Sequence, residues 1–166
     1  MPPKVVHSTH GKLLLTELAK KDADLELILQ YIHADPFAGK LIEPSKGNNA
    51  FHILLSARKP IEWTRQVLSA LIFSSGDGLK KKNQEGSLPL HVYLYQRTVH
   101  ADIVRQLVTA YPEAASVQDG AELIPLFLAV MRDDANRCIL LTHTHTQAHT
   151  YTFTYIYTYT IHIMLF

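Results

Sequence analysis

Apolar positions recur at helical spacing through most of the chain. In "ADIVRQLVTA", residues 101–110, Ile103, Val104, Leu107 and Val108 fall on one face, with Arg105, Gln106 and Thr109 off it. That pattern predicts an amphipathic helix over 101–110. It ends at "YP", because Pro112 disfavours the α region for Tyr111. The stretch "TRQVLSALI" (64–72) answers "VRQLVTAYP" (104–112). Upstream, "LLLTELAKKDADLELILQYIHADP" predicts a helix over 12–20, a turn near Asp22–Asp24 and a helix over 25–33. Shorter helical runs open "GNNAFHILLSA" at Gly47, "GSLPLHVYLYQ" at Gly86 and "ELIPLFLAVMR" at Glu122.

These openings recur as a period. His52 and His91 are 39 residues apart, and Pro89 and Pro125 are 36 apart. Each unit reads as a short helix, a turn, a second helix and a loop containing Gly, Asn or Asp. An extension over 1–9 precedes an array over 10–141, with units near 10–46, 47–85, 86–121 and an incomplete 122–141. Paired helices of this kind bury their apolar faces only by stacking on neighbours. The expected fold is therefore all-α, a repeat solenoid of about three to four units.

The pattern fails at its C-terminal end. Adding 36 to the apolar face of helix 101–110 lands on Ile139 and Leu140, which fit a core, and on His143 and Thr144, which do not. From Thr142 the text becomes "THTHTQAHTYTFTYIYTYTIHI", an alternation of Thr with His, Tyr or Phe. Thr codons begin AC, His CA, Tyr TA and Ile AT, so a CA/TA dinucleotide repeat would translate in this way. Residues 142–166 are expected to be an irregular or disordered low-complexity tail, read as translated simple-sequence DNA. Two competing readings are a metal tract built on His143, His145 and His149, and an exposed β-prone strand. The metal tract lacks accompanying carboxylates or cysteines, so no metal site is expected.

Composition narrows the function classes. A net charge of +1 over 166 residues argues neither for a nucleic-acid surface nor for an acidic tail. No stretch approaches the ~20 apolar residues of a membrane helix. Cys138 is the single cysteine, so no internal disulfide framework exists, which suits a reducing compartment. No signal or transit pattern is apparent. The cytoplasm is the expected location, with the nucleus as the other compartment that fits. Lys80, Lys81 and Lys82 read as a solvated basic linker. "SSGDGLKKK" (74–82) lacks the spacing of a phosphate-binding P-loop, and neither a zinc-protease motif nor paired cysteines occur.

Gly86-Ser87-Leu88-Pro89-Leu90-His91, opening a helix–turn–helix unit, resembles the ankyrin repeat, whose signature is T-P-L-H-x-A. Gly47 with His52, and Pro125 with Leu126, repeat parts of it. The resemblance covers about residues 10–141 and is degenerate. Leu88 and Ile124 stand where the family prefers a capping threonine, whereas Asn49 can still cap. Ala50 replaces proline, Phe127 replaces histidine, and Leu54 and Tyr93 occupy a small-residue slot. Periods of 36 and 39 exceed the usual length of about 33, which implies longer connecting loops.

The resemblance implies a structural role for Gly47, His52, Gly86, Pro89, Leu90, His91, Pro125 and Leu126, with the histidines tying neighbouring repeats together. It implies binding of another protein and no catalysis. The partner-binding positions would be Asn48, Asn49, Glu85, Ser87, Ala121 and Glu122 at the loop tips. At the helix ends they would be Ser56, Ala57, Tyr95, Gln96, Met131 and Arg132. Tyr95 has the competing reading of packing on the next unit. No cofactor, small-molecule substrate, nucleic-acid or membrane partner is expected. The rival to a scaffold or adaptor is a truncated gene product without retained activity.

Overall fold

The computed structural model describes residues 9–131, and these form seven α-helices linked by turns, with no β-strand among the described residues. The helices are α1 (Thr9–Ala19), α2 (Leu25–Ala34), α3 (Ala50–Ser56), α4 (Ile61–Ser75), α5 (Pro89–Leu94), α6 (Ala101–Ala110) and α7 (Pro125–Met131). Short 3₁₀ turns follow α2, α4 and α6, at Ala38–Lys40, Gly76–Lys80 and Pro112–Ser116. The expected core positions Ile139 and Leu140 and the tail from Thr142 lie outside the described residues.

Local chemistry sets the helix starts. Asp24 caps α2, its side chain accepting from the N–H groups of Glu26 and Leu27. Asn49 does the same for α3, accepting from Phe51 and His52. α5 has no polar cap because Leu88 holds that position, and Pro89 occupies the first turn, where no N–H is needed. α6 ends as expected: Tyr111 leaves the helical region just before Pro112.

The helices pack in two layers. α1 touches α3, α3 touches α5 and α5 touches α7, while α2 packs on α4; within units, α1 meets α2, α3 meets α4 and α5 meets α6. Side-chain bonds join α4 to α6: Arg65 pairs with Asp102 at 3.1 Å, and Gln106 donates to Ser69 at 2.6 Å. The core between the layers is Leu14, Leu18, Ile28, Ile32, Phe51, Leu54, Leu68, Leu71, Leu94 and the predicted α6 face Ile103, Val104, Leu107 and Val108. Each such aliphatic side chain contributes roughly 1.5–3 kcal/mol by burial.

One expectation is refined. The 39-residue spacing exceeds the 36-residue one through the second helix, since α4 has 15 residues and α6 has 10. Leu54 and Tyr93, in the small-residue slot, point into the core. Both are buried, and the Tyr93 hydroxyl accepts from the backbone N–H of His100 at 3.0 Å, closing the α5–α6 turn.

Candidate interaction surface

Three loop tips precede α3, α5 and α7, and they share one construction. In each, an N–H bonds back across the turn: Glu43 to the Asn48 carbonyl, Asn83 to Ser87 and Asp119 to Leu123, at 2.8, 3.0 and 3.0 Å. In each, one side-chain oxygen gathers the turn's N–H groups. Asn83 Oδ1 accepts from Glu85 and Ser87, and Asp119 Oδ1 accepts from Ala121 and Leu123. Glu43 Oε1 accepts from Lys46, its longer side chain spanning a turn that is one residue longer. In each, one residue adopts a left-handed backbone: Gly47 at φ 70°, Gly86 at 72° and Glu122 at 61°.

The tips are also laced to one another. The N–H of Gln84 donates to the Lys46 carbonyl at 2.9 Å, and that of Gly120 to Glu85 at 3.1 Å. Asn83 Nδ2 reaches Asn48 Oδ1 at 3.1 Å, and Lys82 Nζ reaches the Gln118 carbonyl at 2.6 Å. Gly86 is confined by the second of these contacts: a Cβ there would lie 2.7 Å from the Gly120 nitrogen.

Two buried histidines anchor the tips from beneath. The Leu88 N–H donates to Nδ1 of His91 at 3.2 Å, so the neutral ring carries its proton on Nε2. That Nε2–H is shared between the carbonyls of Val117 and Leu123, at 3.0 and 3.2 Å. His52 is placed alike, with the Asn49 N–H on Nδ1 and Nε2 3.0 Å from the Ser87 carbonyl. Burial holds both imidazoles below their usual pKa. For His91 the Asp119 carboxylate pulls the other way without overcoming burial. Burial raises the Asp119 carboxyl, but the Tyr95 hydroxyl and the N–H groups of Leu123 and Ala121 outweigh it and leave that group below the ordinary range.

The expected contact positions separate into three groups. Glu85, Ala121 and Glu122 are exposed on the tips, with Asn48 half-buried beside them. Asn49 and Ser87 are corrected: both are buried and cannot meet a partner. Asn49 spends its amide on the α3 cap and on the Gly78 carbonyl at 2.8 Å, and Ser87 is covered where its carbonyl meets His52. The helix-end positions lie apart from the tips. Asn49 and Ala57 flank α3, whose seven residues span about 10 Å at ~1.5 Å per residue.

Ser56 is exposed there, and Ala57 and Gln96 line a cleft at the turns. Tyr95 is 41% exposed while its hydroxyl donates to Asp119 at 2.8 Å, so it is tied to the next tip and also presents a face to solvent. Met131 ends α7, and Arg132 lies outside the described residues.

Glu43, Asn83 and Asp119 escaped the sequence reading. Their signal was an Asx or Glu residue three or four positions before the left-handed one, as in "NQEG" and "DGAE".

Among the described residues no three His, Cys, Asp or Glu side chains come together to hold a metal ion; the tail histidines lie outside them. Nor is any described helix long and apolar enough to cross a membrane. No family model matches the chain, and no curated protein matches it in sequence.

Proposed function

We propose that the chain is an ankyrin-like repeat array that binds another protein through its row of loop tips and performs no catalysis itself. The observation that supports this reading is the tip construction repeated three times and hydrogen-bonded from tip to tip. Backbone ladders fix the row rigidly while Glu85, Ala121 and Glu122 project from it. A rigid, preorganised row loses little conformational entropy on binding. Tyr95, held by Asp119 with its ring partly exposed, supplies an aromatic anchor below the tips.

The test is charge reversal at the exposed tips. A protein captured by the full-length chain from an extract should be lost with the double variant Glu85→Lys/Glu122→Lys. The variant should keep its melting temperature within about 2 °C, as expected of surface changes. Capture that survives the double reversal sinks the tip-binding reading.

A further inference from the structure

Between the α3–α4 turn and the α5–α6 turn lies a cleft of about 330 Å³. It sits at the other end of the first helices from the tips, and its volume falls within the ~300–1,000 Å³ of small-ligand sites. Arg58, Lys59, Arg97 and His100 line it, and none of its lining residues is acidic. Arg58 and Arg97 are 39 residues apart, the same interval as His52 and His91, so each of two successive units sends one guanidinium to the cleft.

The three cations differ in how they are held. Lys59 is fixed, donating to the carbonyls of Lys20 and Lys21 at 2.6 Å each and lying 5.4 Å from the Trp63 ring centre. Arg58 and Arg97 form no ion pair or side-chain hydrogen bond with any described residue. The nearest acids in sequence, Glu62 and Asp102, are both engaged by Arg65. Ile61 and the buried Tyr93 add apolar surface beneath.

We propose that this cleft binds a small molecule bearing a phosphate group, with Arg58 and Arg97 holding the phosphate oxygens from its two walls. A guanidinium matches a phosphate with two parallel N–H···O bonds, and a concave surface of one sign concentrates the opposite charge. A dianion answers two free guanidinium groups beside a fixed ammonium, whereas a single carboxylate leaves the excess charge unanswered. Ile61 and Tyr93 suit an apolar body attached to the phosphate. The site stands independently of the protein-binding reading, since it shares no residue with the exposed tips.

Titration calorimetry on the full 166-residue chain tests it, with phenyl phosphate, inorganic phosphate and benzoate as probes. Phenyl phosphate should bind saturably at one site, and inorganic phosphate and benzoate each at least ~10-fold more weakly. Arg58→Ala/Arg97→Ala should weaken phenyl phosphate by ~10-fold or more, while Lys46→Ala, an exposed cation on a tip, should leave it unchanged. Amide shifts on titration should cluster at residues 57–61 and 96–101. No saturable binding, equal binding of benzoate, an unaffected double variant, or an equal loss in Lys46→Ala would each overturn the proposal. Shifts confined to the tips would overturn it as well.

Discussion

The units that open at Gly47 and Gly86 solve one problem with different resources. In the first, Asn49 caps α3 and bonds the Gly78 carbonyl, while His52 accepts the Asn49 N–H and ties to one carbonyl, that of Ser87. In the second, Leu88 offers no side-chain cap, and His91 accepts the Leu88 N–H and serves two carbonyls of the following loop. The same histidine at the same register therefore carries a different share of the load. Beside His52 the side chain three positions earlier supplies ties of its own, and beside His91 none does.

This difference predicts unequal losses on truncation. His91→Ala leaves the Leu88 N–H and the Val117 carbonyl without their partner, while the Leu123 carbonyl keeps the Asp119 N–H; at ~1–3 kcal/mol per abandoned group the cost should be about 3 kcal/mol. His52→Ala should cost about 2 kcal/mol, because only the Asn49 N–H loses its partner and the Ser87 carbonyl keeps the Asn83 N–H. Chemical denaturation of both variants measures the gap. Equal midpoints would mean that the Val117 carbonyl adds no weight to His91.

Acid should widen the same contrast. Both imidazoles lie below their usual pKa of ~6.5 when folded, so the unfolded chain takes up the protons first. Their contribution is complete above about pH 6.5, falls as the pH drops from there toward the folded values, and then levels off. Each can contribute a slope of at most ~1.4 kcal/mol per pH unit. The two rings meet that proton differently.

A proton on Nδ1 of His91 would point at the Leu88 N–H, another donor. On His52 it would meet Asn49 Oδ1, an acceptor 2.8 Å away. Melting temperature followed from pH 7.5 to 5 should therefore flatten more in His91→Ala than in His52→Ala. The depressed carboxylates Glu43 and Asp119 act lower, their contribution being lost as the pH falls below about 4. An equal flattening in the two variants would remove the distinction between the rings.

How much of this was legible beforehand depends on whether an effect is local. The α6 face Ile103, Val104, Leu107 and Val108 follows from spacing alone, and so does its stop at Pro112. The first helix was expected over 12–20 and runs Thr9–Ala19; the second, expected over 25–33, runs Leu25–Ala34 because Asp24 caps it. Asn49 and Ser87 were misplaced because tip exposure depends on chain distant in sequence: Gly78 meets Asn49 from 29 residues on, and His52 meets Ser87 from 35 residues back. Arg58 and Arg97 looked like ordinary turn residues until the stacking brought the two turns to one cleft. The lengthening of α4 was hidden for a further reason: a period counts residues without saying which element holds them.

The smallest expected effect concerns the left-handed position itself. Gly47 and Gly86 adopt φ near 70° without a Cβ penalty, whereas Glu122 holds 61° with a full side chain. Such a backbone costs a non-glycine residue roughly 1–2 kcal/mol, part of which a glycine returns through the greater entropy of its unfolded state. Glu122→Gly should thus raise stability by only ~0.5 kcal/mol, an upward shift of about 1–3 °C in melting temperature. Strained backbone positions cluster at functional sites. If the tip row binds a partner, the same substitution should weaken that binding while stabilising the fold. Two opposite signs from one side chain would separate its two roles; a loss of stability would mean that the Glu122 backbone is not strained.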